Sequence, residues 1–257
     1  MMTRFSTTAS AMAIGLGLVA IPSLASAATL MALTGDNMLT SIDTATQKSG
    51  TSMAVKGAPG PIAGIDVRPA DGMLYGVTTD GTIVTIDIKT GMATVKSKLE
   101  TFVKSGIAVT VDFNPVADRM RIIGVDGTNL RANVDDGKVT TDGKLKFAET
   151  DVNKDKAPTI TAGAYSNSVK GSKETALYDL DSMLGILTKQ APPNDGILGT
   201  LGMTGIKGAS IAFDIETDSA GMNTGWLVSG DSLMKIDIAT GKTTSVGKLA
   251  GIKGAVR

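Results

Sequence analysis

The chain has 257 residues, with 25 lysines and arginines against 25 aspartates and glutamates, 42% hydrophobic residues, and neither cysteine nor histidine. These absences exclude disulfides, zinc or copper sites built on nitrogen and sulfur, and catalysis by Ser-His-Asp or Cys-His sets. Balanced charge argues against nucleic-acid binding, which shows as a basic excess or stripe, while ions held by oxygen, such as calcium, and carboxylate chemistry stay open.

The first element in the chain is a targeting pattern. Arg4 supplies a positive n-region, Ala11 to Ile21 an apolar stretch, Pro22 a break, and Ala25 to Ala27 an A-x-A cleavage signal. The apolar stretch is shorter than the ~20 residues a membrane-spanning helix needs. A secretory signal peptide over 1–27 is therefore expected, leaving residues 28–257 as one periplasmic or extracellular domain with no membrane insertion. Arg4 is the only charge it removes, so the mature chain stays near neutral. With no cysteine there is no lipoprotein anchor.

Strand patterns follow. Thr29 to Leu33 precedes Met38 to Asp43, which runs into Thr44 to Gln47. Ala63 to Val67 leads to Pro69, then Met73 to Val77, then Ile83 to Asp87 with its turn Ile88 to Gly91. The same order returns in Val109 to Asn114, Met120 to Ile123 and Asn129 to Asn133. It returns in Ala162 to Asn167 with Ala176 to Asp179, and in Ile211 to Glu216, Trp226 to Val228 and Leu233 to Asp237 with Ile238 to Gly241. IVTIDI and LMKIDI alternate with the period of a strand, and the Asp-x-x-Thr-Gly endings are turn chemistry. Aligned on residues 43, 87, 133, 179 and 237, the phrase recurs at steps of 44, 46, 46 and 58 residues, the length of a four-stranded propeller blade. Gly251 to Val256 echoes Gly205 to Ser210, so a C-terminal strand is expected to complete the first blade, which lacks an inner strand. The expected fold is all-β, a closed β-propeller of about five four-stranded blades, in which closure hides the strand edges. An open β-sandwich with coincidental spacing is the alternative.

Several of these phrases are specific: GIDVRPADGMLY (64–75), VDFNPVADRMRII (111–123), GTNLRAN (127–133), AYSN (164–167), TALYDLD (175–181) and QAPPNDGIL (190–198). Through them the whole mature chain resembles the bacterial secreted family called domain of unknown function 4394. The resemblance implies an exported, propeller-like protein and carries no settled activity.

Candidate site residues fall into two sets. Aligning the inner strands places Asp66, Asp112, Tyr165 and Asp214 in one register, with Arg68, Asn114, Asn167 and Glu216 two residues on and on the same strand faces. If these strands line a channel, the polar groups form a small-ligand or cation site at one mouth. The reading preferred from sequence is that each Asp accepts backbone hydrogen bonds at a blade junction. The third blade departs from its siblings with Arg119, Arg121, Asn129, Arg131 and Asn133. These residues make either an anion or carboxylate pocket or an internal network of Arg119 and Arg131 with Asp112, Asp118 or Asp126. Asp151-Val-Asn153-Lys-Asp155 opens like a calcium loop, but Lys156 and Ala162 stand where such a loop needs glycine and glutamate. No metal ligand set and no cofactor is assigned.

Three function classes follow. The leading expectation is a non-catalytic binding or scaffold module with a small ligand or a protein as partner. The alternative is a carboxylate-based glycoside hydrolase using a pair such as Asp66 and Asp214, though Trp226 is the only tryptophan and sugar-stacking platforms are scarce. A quinoprotein-like redox propeller comes last, because no tryptophan follows the Asp-x-x-Thr-Gly turns.

Overall fold

The computed structural model describes residues 28–35, 37–252 and 256. The signal peptide expected over 1–27 lies outside them. Blade 1 holds β1 (Thr29–Thr34), β2 (Met38–Asp43), β3 (Lys48–Ser49) and β4 (Met53–Ala54), with β3 and β4 both paired to β2. Blade 2 is β5 (Ile62–Val67), β6 (Leu74–Thr78), β7 (Thr82–Ile86) and β8 (Ala93–Lys98). Blade 3 is β9 (Val109–Asn114), β10 (Arg119–Gly124), β11 (Asn129–Ala132) and β12 (Val139–Thr141). Blade 4 adds β13 (Lys146–Phe147) alongside β14 (Ile160–Tyr165), β15 (Leu177–Asp181), β16 (Ile186–Gln190) and β17 (Ile197–Met203). Blade 5 is β18 (Ile211–Thr217), β19 (Asn223–Ser229), β20 (Ser232–Ile236) and β21 (Thr243–Lys248). The five sheets stand in a ring as a β-propeller, with β5, β9, β14 and β18 as successive inner strands. One bridge, Thr34 to Val256, is the part of the expected closing strand that falls within the described residues.

Packing explains the sequence pattern. Each sheet is radial and buries both faces against its neighbours, so strands such as Leu74–Thr78 are buried at every position. Apolar clusters fill the seams between blades. Tyr75, Val77, Phe113 and Met120 meet between blades 2 and 3. Ile123, Phe147, Tyr165 and Leu198 meet between 3 and 4, and Leu180, Phe213 and Leu227 between 4 and 5. Val256 joins Ala32, Ile42 and Trp226 in the seam between blades 5 and 1. Among the described residues no helix is long and apolar enough to cross a membrane.

Turn chemistry closes the third strands as expected. Asp43 accepts from the N–H groups of Ala45 and Thr46, Asp87 from Lys89 and Thr90, and Asp237 from Ala239. Blade 4 corrects the sequence alignment. Asp179 lies inside β15, a second strand, so it is no counterpart of Asp43 or Asp87; the turn after the third strand β16 is Ala191 to Gly196. The long repeat step therefore belongs between blades 3 and 4, where the segments 148–159 and 166–176 are added.

Candidate functional site

The inner strands fix the site. Asp66 at the end of blade 2's inner strand accepts from the N–H of Phe113 on blade 3 at 2.6 Å, and from Val67 at 2.7 Å. Asp112 repeats the move one blade on, accepting from Tyr165 N–H at 3.0 Å. Asp214 accepts from its own neighbour, Ile215 N–H, at 2.6 Å. The junction role read from the sequence thus holds for Asp66 and Asp112, but it does not exhaust them. One carboxylate oxygen from each of Asp66, Asp112 and Asp214 lies within 4.8 Å of the others. They converge in a central cavity of about 1120 Å³ walled by Val109, Val111, Ala162, Ile211 and Phe213, with Thr110 and Thr161 among them.

Electrostatics in this cluster are one-sided. Burial pushes the Asp66 carboxyl well above the usual carboxylate range, and Asp214 pushes it further. Asp112 is raised in the same way by burial, then by Asp66 and Asp214, and then by Asp179. Asp214 is open to the channel, yet the channel walls enclose it; burial raises its carboxyl, and Glu216 adds to the rise. Among the described residues Lys207 is the only lysine or arginine lining the cavity, and none of the three aspartates makes an ion pair there.

Tyr165 departs from the expected register. Ala164 pairs with Tyr178 as Asp66 pairs with Tyr75, so alanine holds the aspartate position in blade 4. A one-residue slip turns a strand side chain to the opposite face. Tyr165 accordingly points back into the seam with blade 3, where its hydroxyl accepts from Arg121 Nε at 3.2 Å.

That seam holds most of the unusual residues of blade 3. Arg121 donates to Asn129 Oδ1 at 2.8 Å, to Asp142 Oδ2 at 2.5 Å and to Asn194 Oδ1 at 2.9 Å. Arg131 grips both oxygens of the same Asp142, at 2.6 and 3.0 Å. Asn129 donates to the carbonyls of Gly143 and Pro193. With both guanidinium groups committed to Asp142, the anion-pocket reading gives way to an internal network. Its carboxylate is not one of those named from sequence: Asp118 pairs with Arg68 instead.

The remaining candidates stand apart from the channel cluster. Arg68 forks onto Asp118 at 2.7 and 2.6 Å, reaches Asp135 at 2.9 Å, and ties blade 2 to blade 3. Asn114 and Asn133 accept backbone N–H groups of the turns that follow them. Arg119 donates to the Asp118 carbonyl at 2.8 Å. Asn167 exchanges hydrogen bonds with Asn223 of blade 5. Asp151 and Asn153 clamp Thr200 rather than forming a calcium loop.

Asp142, Asn194 and Asp179 are not among the site residues that the sequence singles out. Asp179 carries a signal, since the matching second-strand positions of other blades hold Gly76, Ile122 and Leu227. Asp179 is fully buried, and neither of its oxygens has a hydrogen-bond partner. It occupies the space left by Gly163, whose missing Cβ would stand 2.5 Å from Asp179 Oδ1. Burial pushes its carboxyl up to about 8 against the pull of Arg121.

A sequence profile described as "Domain of unknown function (DUF4394)" matches residues 18–256. No curated protein matches the chain. Among solved structures, a structural genomics protein of unknown function from Bacteroides thetaiotaomicron superposes with a TM-score of 0.53 at 12% identity, over 78% of this chain and 53% of the other. An auxiliary nutrient binding protein from the same organism gives 0.48 at 14% identity, over 77% and 53%. A calcium-binding protein, regucalcin, from Agrobacterium tumefaciens gives 0.47 at 15% identity, over 83% and 67%. The chain spans about half the length of the first two, and at these identities the likeness is one of fold alone.

Proposed function

The chain belongs to the DUF4394 family, whose description assigns no activity, and from its geometry we propose an exported, non-catalytic binding module whose ligand enters the central channel. The observation that carries this reading is the convergence of three carboxylates inside a mainly apolar cavity of about 1120 Å³. A few placed polar groups on apolar walls are the usual make-up of a small-ligand site. The pattern of Arg4, the apolar stretch 11–21 and Ala25 to Ala27 supports action outside the cytoplasm.

The test is a thermal-unfolding screen of the purified protein against amines, sugars, carboxylates and divalent ions. A ligand selective for the native state raises stability by ~2.7 kcal/mol at a hundredfold excess over its dissociation constant. Ala108 is exposed at the cavity wall, so Ala108→Trp narrows the channel without touching the core. A ligand shift that Ala108→Trp removes supports the reading. Ligands that stabilise both forms equally place binding elsewhere and overturn it.

A further inference from the structure

We propose that the channel-side edge of β1 takes an extended peptide bearing lysine or arginine as the inner strand of blade 1, a claim that rests on the binding-module reading and gives its ligand a chemistry. In blades 2 to 5 an inner strand, β5, β9, β14 or β18, covers the second strand on the channel side. In blade 1 the corresponding strand is β1, which pairs with β2 along one edge. Among the described residues its other edge carries a single bridge, Thr34 to Val256, at the far end. Thr29, Leu30, Met31 and Ala32 line the central cavity instead.

Register shows which backbone groups are open. Antiparallel partners alternate between pairs that exchange hydrogen bonds and pairs that turn their groups outward. Thr44 N–H donates to the Ala28 carbonyl at 3.0 Å, so Ala28 belongs to the bonded set, and Leu30 and Ala32 with it. Asp43 and Ser41, which face Thr29 and Met31, accept from Gln47 and Gly50 on the side of β2 away from β1. Thr29 and Met31 therefore turn their N–H and C=O groups to the channel, at a repeat of about 6.8 Å. Among the described residues no hydrogen bond reaches these groups. Such an edge is a template for another strand, whose main-chain bonds give affinity while nearby side chains give specificity.

Charge selects the peptide. Asp66, Asp112 and Asp214 each pair with the fourth residue from the end of their blade's second strand, Tyr75, Arg121 and Trp226. The same count in β1 gives Met31. A peptide residue opposite Met31 thus takes the place that aspartate takes in three other blades, level with carboxylate oxygens that lie within 4.8 Å of one another. Among the described residues Lys207 is the only lysine or arginine lining the cavity, so a basic side chain at that place meets acid with little competition. The apolar walls suit apolar residues on either side of it.

The experiment uses the full protein and a capped heptapeptide of alternating threonine and valine with lysine at its centre. Binding is followed by calorimetry and by the fluorescence of Trp226, which lines the cavity. The expected result is one peptide per chain, bound at least tenfold more weakly when the centre is glutamate or when alternate amides are N-methylated. Hydrogen exchange gives the placement: in the free protein the Thr29 and Met31 amides exchange fast, Leu30 and Ala32 are protected, and the peptide protects the first pair. Met31→Pro removes an edge donor and spares the ladder with β2, so it should weaken the peptide at least tenfold in a folded protein. Thr29→Pro, at an exposed position, serves the same purpose if Met31→Pro does not fold. Asp214 bonds only to its own neighbour, and Asp214→Asn should weaken the lysine peptide but not one with threonine at its centre. Absence of saturable binding at millimolar peptide, or equal affinity for the N-methylated form, overturns the strand site. Protection of Thr29 and Met31 in the free protein does so too, since the edge is then covered by the chain itself. If the peptide fails while an organic ligand blocked by Ala108→Trp still binds, the binding-module reading stands without it; if both fail, both readings fall.

Discussion

At Asp142 two arginines of very different burial share one carboxylate. Arg121 is 2% exposed and Asp142 5%, whereas Arg131 is 31% exposed. Removing one partner of a buried pair leaves an uncompensated charge and costs ~3–5 kcal/mol, while a part-exposed pair is worth ~0–1 kcal/mol. Asp142→Ala should therefore destabilise by ~3–5 kcal/mol and Arg131→Ala by less than ~1 kcal/mol, as read by urea unfolding. Asp179 makes the opposite prediction. Its folded pKa is raised from 3.8 to about 8, so folding disfavours the ionised form. The penalty is absent below the unfolded value, grows as pH rises, and is complete above about 8. Every tenfold difference in proton affinity between the folded and unfolded chain corresponds to ~1.4 kcal/mol at most. Asp179→Asn should raise the melting temperature, with a gain that widens as pH climbs from the unfolded value to the folded one and then levels. A gain that does not change with pH would refute this account.

Elements are legible in the sequence where their chemistry is local. Strand alternation and Asx turns depend on neighbouring residues, so the blades around Asp43, Asp87 and Asp237 follow from the sequence alone. Blade 4 misleads because LYDLD resembles a third strand with its turn, and only the pairing of β15 with both β14 and β16 shows that it is a second strand. Tyr165 misleads for a related reason, since a single added residue in the alignment reverses the face. The Arg121 partners are invisible in sequence because Asp142 and Asn194 reach it from loops 21 and 73 residues away. A junction between elements gives another prediction. Gly137 sits in the turn after β11 with φ +77°, and a Cβ there would collide with the Lys98 carbonyl of blade 2. Gly137→Ala should cost more than the ~1 kcal/mol usual for losing a glycine at positive φ, because both blades must move apart; chemical denaturation of the variant measures it.

At the scale of the ring, residues of the last blade and the first meet in one apolar cluster. Val256 is fully buried and packs with Ala32, Ile42 and Trp226, joining blade 5 to blade 1. Val256→Asp buries an unpaired charge there, so it should lower the melting temperature sharply and shift Trp226 fluorescence to the red as water enters. Unchanged emission would mean that the seam is not closed by that residue. The alanine at position 164 has a different bearing on the molecule. At the matching inner-strand position blades 2, 3 and 5 bring acid to the channel, whereas in blade 4 that position is Ala164, fully buried among apolar neighbours, so blade 4 brings none. The pore therefore has a compass direction: acid reaches it from three blades and not from the fourth. A guest with a positive end and an apolar end is turned to one azimuth on entering, so a ring of near-equivalent sheets selects a single orientation for what it holds.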